Sequence, residues 1–182
     1  MNWEGEGYLL SKRKFRENAN IINVFSKNRG KVSGVVYGGN SRKIKNYLQI
    51  SNKLYINHIV KNENRLGYFK TELVKPISPL YFNDKERSSA LLSISSILNM
   101  LLPDSQPNQN IYKSFEEFVN SIKLDNWVIL YIFLELSLIK DLGFDPNLKQ
   151  YKNNKSENDF QKIKIDTFTY DVPLYLIQNE IP

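Results

Sequence analysis

Along the first part of the chain, apolar side chains come in short runs filled by β-branched and aromatic residues. These are EGYLLSKRKF (Glu6–Phe15), ANIINVF (Ala19–Phe25), KVSGVVYG (Lys31–Gly38), KLYINHIV (Lys53–Val60) and LGYFKTELV (Leu66–Val74). Turn-forming segments separate them: FRENAN, SKNRG, GGNSRK and KNENR. Alternation is clearest from Lys53 to Ile59. Five strands in so short a stretch predict a small closed antiparallel barrel, because closure removes exposed edges. Pro76 and Pro79, in KPISP, forbid regular pairing and mark a linker.

Beyond the linker the period becomes helical. Leu91, Leu92, Ile94, Ile97, Leu98, Leu101 and Leu102 form a broad apolar face over Lys85–Leu102, with Asn83 or Asp84 to cap it and Pro103 to stop it. A second helix is predicted over Ile111–Lys123. A third runs over Asn126–Leu142, with Asp125 as its N-cap and Gly143 as a left-handed stop. These faces need one another, or the barrel, for burial. Residues 147–164 turn polar and read as a long loop, and the closing YDVPLYLIQNEIP is apolar again. The expected class is α+β. A small five-stranded barrel is expected over residues 1–80, and an all-α helical domain with an abrupt end over 81–182.

Charge sharpens the division. Residues 1–80 carry fifteen Lys and Arg against five Asp and Glu; residues 81–182 carry ten against fourteen. A general lysine bias would not split the chain this way, so the front half is expected to meet a polyanion. The bland reading is a solvated basic face without a partner. The opening MNWEGEGYLL lacks the pattern of a signal peptide, and the apolar run Trp127–Ile139 is too short to span a bilayer. A cytoplasmic, nucleoid-associated location is the expectation.

Several chemistries are poorly supplied. The chain has no cysteine and one histidine, His58, which excludes disulfides and zinc sites built from Cys and His. His58 lies in a strand pattern and reads as a half-buried or surface residue. No Walker loop, dinucleotide fingerprint or suggestive carboxylate pair occurs. Neither an enzyme nor a cofactor is expected. What remains is a barrel with basic loops and interleaved aromatics. Lys12, Arg13 and Lys14 end the first strand, Arg29 and Lys31 flank Gly30, and Arg42, Lys43 and Lys45 follow the Gly38-Gly39 turn. Single-stranded nucleic acid asks for this combination, cations for phosphates and aromatic faces for bases. Tyr37, beside the turn, is the stacking candidate, and Gly38 and Gly39 would let the backbone approach a phosphate. Phe15, Phe25 and Tyr55 read as core. Two other readings stay open: a non-enzymatic OB-fold scaffold for acidic protein partners, and an RNA-binding OB protein.

The landmarks WEGEGYLLS (Trp3–Ser11), the glycines from Gly30 to Gly34, GGNSR (Gly38–Arg42) and YLQISN (Tyr47–Asn52) resemble the bacterial recombination mediator RecO family in its alphaproteobacterial form. So do LLP (Leu101–Pro103), Tyr112 and ELSLIKDLGF (Glu135–Phe144). The resemblance implies an OB-fold joined to a helical domain, and a role in recombinational DNA repair. It implies binding of single- and double-stranded DNA, strand annealing, and help for RecA on DNA coated with single-strand-binding protein. Implied partners are DNA, RecR, the acidic tail of single-strand-binding protein and, indirectly, RecA. The family's four-cysteine zinc module cannot form here. The family also continues for several tens of residues past the segment matching Pro173–Pro182, so the chain reads as C-terminally truncated.

Overall fold

The computed structural model describes residues 2–60 and 66–143, together with the backbone of 160–165 and 168–173. It divides into two compact units, Met1–Asp141 and Leu142–Pro182. In the first, five strands close into a barrel: β1 (Trp3–Phe15), β2 (Ala19–Ser26), β3 (Gly30–Tyr37), β4 (Lys53–Ile59) and β5 (Tyr68–Lys75). Their order around the barrel is β1-β2-β3-β5-β4. All pairs are antiparallel except β3 with β5, which meet in parallel at Val35 and Tyr68. This is the OB-fold expected from the sequence. Its interior is filled by Leu9, Ile22, Val24, Val32, Val36, Leu48, Leu54, Ile56 and Phe69. Apart from Leu48, which lies in the segment between β3 and β4, these are residues of one parity on each strand, as a pleated wall requires.

One element went unread. A short helix, α1 (Arg42–Tyr47), lies between β3 and β4 where the sequence suggested only a turn. Ser41 caps it, its side chain accepting the Ile44 N–H at 3.4 Å. Ile44, Tyr47 and Leu48, at helical spacing, turn inward and pack against the barrel core.

A 3₁₀ turn at Ser78–Tyr81 leads to α2 (Lys85–Leu101), α3 (Gln109–Ser121) and α4 (Trp127–Asp141). Asp84 caps α2 by accepting the Arg87 N–H, and Asn108 caps α3. Gly143 adopts a left-handed φ of 83° after α4. The helices cover one outer side of the barrel. There Tyr8 meets Tyr112 and Phe115, and Phe25 meets Tyr112, at ring separations of 5.0–5.7 Å. This aromatic layer is a second core. In the other unit, β6 (Phe160–Ile165) pairs antiparallel with β7 (Phe168–Pro173). The strand at 160–165 replaces the end of the expected polar loop; the rest of that loop, the 61–65 turn and the last residues lie outside the described residues. No described helix is long and apolar enough to cross a membrane.

Candidate nucleic-acid interface

The geometry of the basic residues follows from strand parity and one irregularity. A β-bulge between Leu9 and Ser11 inserts Leu10, resetting which residues of β1 face inward. Beyond it Lys12 pairs with Ile22 and Lys14 with Asn20, both residues of the inward set, whereas Arg13 pairs with Ile21 on the outer wall. Lys12 and Lys14 therefore stand at the barrel mouth, which α1 closes. The Lys12 ammonium donates to the Leu48 carbonyl at 2.7 Å, tying β1 to the end of α1. Burial, and then the positive charge of Lys45, hold the Lys12 pKa below the usual lysine range.

The turn into α1 is built for this placement. Gly38 sits at φ 70°, open to glycine at little cost, and its carbonyl accepts the Ser41 N–H at 2.8 Å. A side chain on Gly39 would strike Asn20, which donates to Asn40 Oδ1 at 3.1 Å; Asn40 in turn donates to the Glu17 carbonyl. These bonds lash the β1–β2 turn to the β3–α1 turn. Arg42, Lys43 and Lys45 are exposed on α1. Among the described residues, the ion pairs fall on Lys31, Lys53, Arg87 and Lys113, and none on Lys12, Lys14, Arg42, Lys43 or Lys45. Glu17, in the adjoining turn, is the nearest carboxylate along the chain.

Tyr37 lies on the outer wall at the same end, 60% exposed, its ring 6.2 Å from that of Tyr68. The structure separates Arg29 and Lys31 from this group. They occupy the other end of the β2–β3 hairpin, about 20 Å along the strand from Tyr37. Lys31 is only 9% exposed, donates to the Asn99 carbonyl at 2.9 Å and pairs with Asp104 at 3.2 Å. It pins the barrel to the segment after α2 and has little to offer a ligand. Gly30, at φ 67°, lies so close to Gln106 that any side chain would collide with it. Arg29 sits over Trp3 and lines a cleft of about 430 Å³ with Lys27, Glu4, Glu6 and Glu116, where the charge is mixed. His58 is half-buried between Trp3 and Phe69, with its Nδ1 buried and unpartnered. Burial, with nearby positive charge, pushes its pKa below the usual histidine value. Among the described residues no three His, Asp or Glu side chains gather as metal ligands.

Sequence reasoning missed α1, the Asn20–Asn40 tie and Tyr68. The spacing of Ile44, Tyr47 and Leu48 after Ser41 was a legible signal for the first. Nothing local marks the other two.

The family model for the N-terminal part of recombination protein O matches residues 1–77, and that for its C-terminal part matches residues 83–162. Similar curated proteins bear the name DNA repair protein RecO. That of Wolbachia sp. subsp. Drosophila simulans is 36% identical over 152 residues, 82% of this chain and 62% of the relative. The Ehrlichia chaffeensis protein is 32% identical over 161 residues, covering 87% and 65% respectively. The Roseobacter denitrificans protein is 31% identical over 145 residues, covering 79% and 60%. The chain thus spans less than two thirds of the length of these relatives. With matches to both of its halves, laid over a closed five-stranded barrel followed by helices, the chain belongs to the RecO family of DNA repair proteins.

Proposed function

We propose that the chain works in recombinational repair as a non-enzymatic protein that binds DNA without regard to sequence. What supports this reading is that Lys12 and Lys14 on the inward-facing end of β1, and exposed Arg42, Lys43 and Lys45 on α1, carry no ion pair among the described residues. Such a group attracts phosphates, and phosphate contacts carry no base information. Arg13 extends it onto the wall, Gly38 and Gly39 shape the turn, and Arg29 and Lys31 stand apart. Both single and double strands present the required phosphates. Annealing follows physically: neutralising two strands lowers their repulsion and leaves base edges free to pair. Family membership supports the wider role, in which the protein assists RecA on DNA coated with single-strand-binding protein. Its partners there are RecR and the acidic tail of that coat protein, and its location is the cytoplasm, on the nucleoid.

A salt titration of oligonucleotide binding tests the reading. Affinity should fall linearly with salt on logarithmic axes, and Arg42→Ala, Lys43→Ala and Lys45→Ala together should flatten the slope by up to about one unit per lost contact. A flat slope in the unaltered chain rejects it. A scaffold for an acidic peptide would instead keep its partner in excess oligonucleotide.

A further inference from the structure

We propose that the overhanging start of β1 is a docking edge for an extended basic segment of a partner protein, which adds there as a short antiparallel strand. The site lies at the opposite end of β1 from Lys12 and Lys14 and does not depend on DNA binding. β1 pairs with β4 from Trp3 to Tyr8, but with β2 only from Gly7 onward. From Trp3 to Glu6, the side of β1 turned away from β4 has no strand against it. The Leu9 N–H donates to the Asn52 carbonyl, on the β4 side, at 3.0 Å. Backbone direction alternates along a strand, so Gly7, Gly5 and Trp3 also turn to β4. Glu4 and Glu6 therefore aim their N–H and C=O groups at the open side. An edge of this kind accepts a further strand.

The open side gives onto the cleft of about 430 Å³ that the Ser26–Arg29 turn also lines. Tyr112 lines it too, only 4% exposed, and its hydroxyl has no hydrogen-bond partner among the described residues. Glu116 beside it is already taken by Tyr8 and Lys53. Burial pushes the Tyr112 pKa up to about 12, so the hydroxyl stays neutral and free to bond an incoming group. Charge selects that group. Glu4 and Glu6 share the outer face of β1 with Tyr8, and Glu116 joins them from α3. Against these three carboxylates stand Lys53, bonded to Glu6 and Glu116, and Lys27, whose charge acts on Glu116. The outer face stays acidic, and Glu4 carries no ion pair among the described residues. A Cβ at Gly5, on the inner face, would meet only Trp3, at 3.9 Å, so that face has room. The fitting strand carries Lys or Arg at two alternate positions, opposite Glu4 and Glu6, with an aliphatic residue between them.

The test follows the fluorescence anisotropy of labelled peptides with the full chain, in the absence of DNA. Acetyl-Thr-Lys-Val-Lys-Thr-amide should bind, and the same peptide with glutamate for both lysines should not. A residue opposite Glu4 in an antiparallel pair points its own N–H at β1. Methylating the two lysine amides should therefore abolish binding, whereas methylating the valine amide should spare it. Glu4→Lys, at an exposed position, should weaken the lysine peptide about 3- to 30-fold and let the glutamate peptide bind. Tyr112→Phe should weaken the lysine peptide about 2- to 10-fold without lowering the urea midpoint, since the hydroxyl bonds nothing in the free protein. The proposal is overturned if the unaltered chain ignores the lysine peptide, if the two methylations act alike, or if Glu4→Lys binds both peptides as the unaltered chain does.

Discussion

Lys12 on β1 and Lys31 on β3 lie on either side of β2 in one barrel, and the molecule uses them in opposite ways. Lys31 is nearly buried, and its ammonium is engaged by Asn99 and Asp104. Replacing it with Met leaves the Asn99 carbonyl short of a donor and should cost about 1–3 kcal/mol in a urea melt. The salt slope of oligonucleotide binding should not change, and a flattened slope would return Lys31 to the interface. Lys12 keeps its charge within reach of solvent, but burial and Lys45 depress its pKa. The folded chain therefore holds this proton less tightly than the unfolded chain does. Between the depressed value and the ordinary lysine value, stability should rise with pH while oligonucleotide affinity falls. Titrating affinity against pH should show that loss beginning below the ordinary lysine range. Lys12→Met should lack the step, and an unchanged profile in that variant would deny Lys12 a part in binding.

Elements meet at Asn52, which is fully buried at the start of β4. Its amide donates to the Tyr47 carbonyl at the end of α1, and its Oδ1 accepts the N–H groups of Ile77 and Ser78 after β5. Its own carbonyl accepts the Leu9 N–H. One side chain thus joins α1, β4 and the linker. Asn52→Ala would orphan three buried or half-buried groups and should cost about 3 kcal/mol or more by chemical denaturation. Asn52→Asp keeps the acceptor but loses the donor, so it should fall between; a neutral Asn52→Ala would show the tie to be dispensable. Nothing around YLQISN announces this in sequence, because all the partners but Tyr47 are remote along the chain. The barrel strands were legible, since β-branched runs between turn residues report a pleated wall directly. α1 left a signal in the spacing of Ile44, Tyr47 and Leu48 after Ser41, weakened by its length of only six residues and by the glycine pair ahead of it. The bulge at Leu10 was hidden more deeply. Counting parity from Leu9 without it would turn Lys12 and Lys14 to the outer wall and Arg13 to the mouth. The candidate site was therefore readable as a set of residues and not as an arrangement.

At the scale of the whole Met1–Asp141 unit, barrel and helices share an interior. Tyr8 packs edge-on to Phe115 and donates to Glu116, while Lys53 on β4 pairs with Glu116 at 2.9 Å and with Glu6 at 3.1 Å. Burial favours the neutral amine of Lys53, yet its bonds to Glu116 and Glu6 win and raise its pKa. Burial likewise opposes charge on Glu116, and Lys53 nonetheless holds its pKa below the usual carboxylate value. The Glu116 contribution is thus complete above the ordinary carboxylate value and disappears as pH falls through the depressed one; that of Lys53 is complete below the ordinary lysine value and disappears as pH rises through the raised one. Glu116→Gln should remove the acid step from a stability–pH curve and shrink the alkaline limb to the part that Glu6 supports. The shared aromatic layer makes a stronger demand. Phe115→Ala should cost about 3–5 kcal/mol, and the loss should be felt equally in both layers. The chain supplies a reporter in each, Trp3 in β1 and Trp127 in α4. In Phe115→Ala chains that also carry Trp127→Phe or Trp3→Phe, the remaining tryptophan should report midpoints lowered together, each with one transition. A barrel that kept its midpoint while the helices melted early would mean that the two layers touch without folding as one.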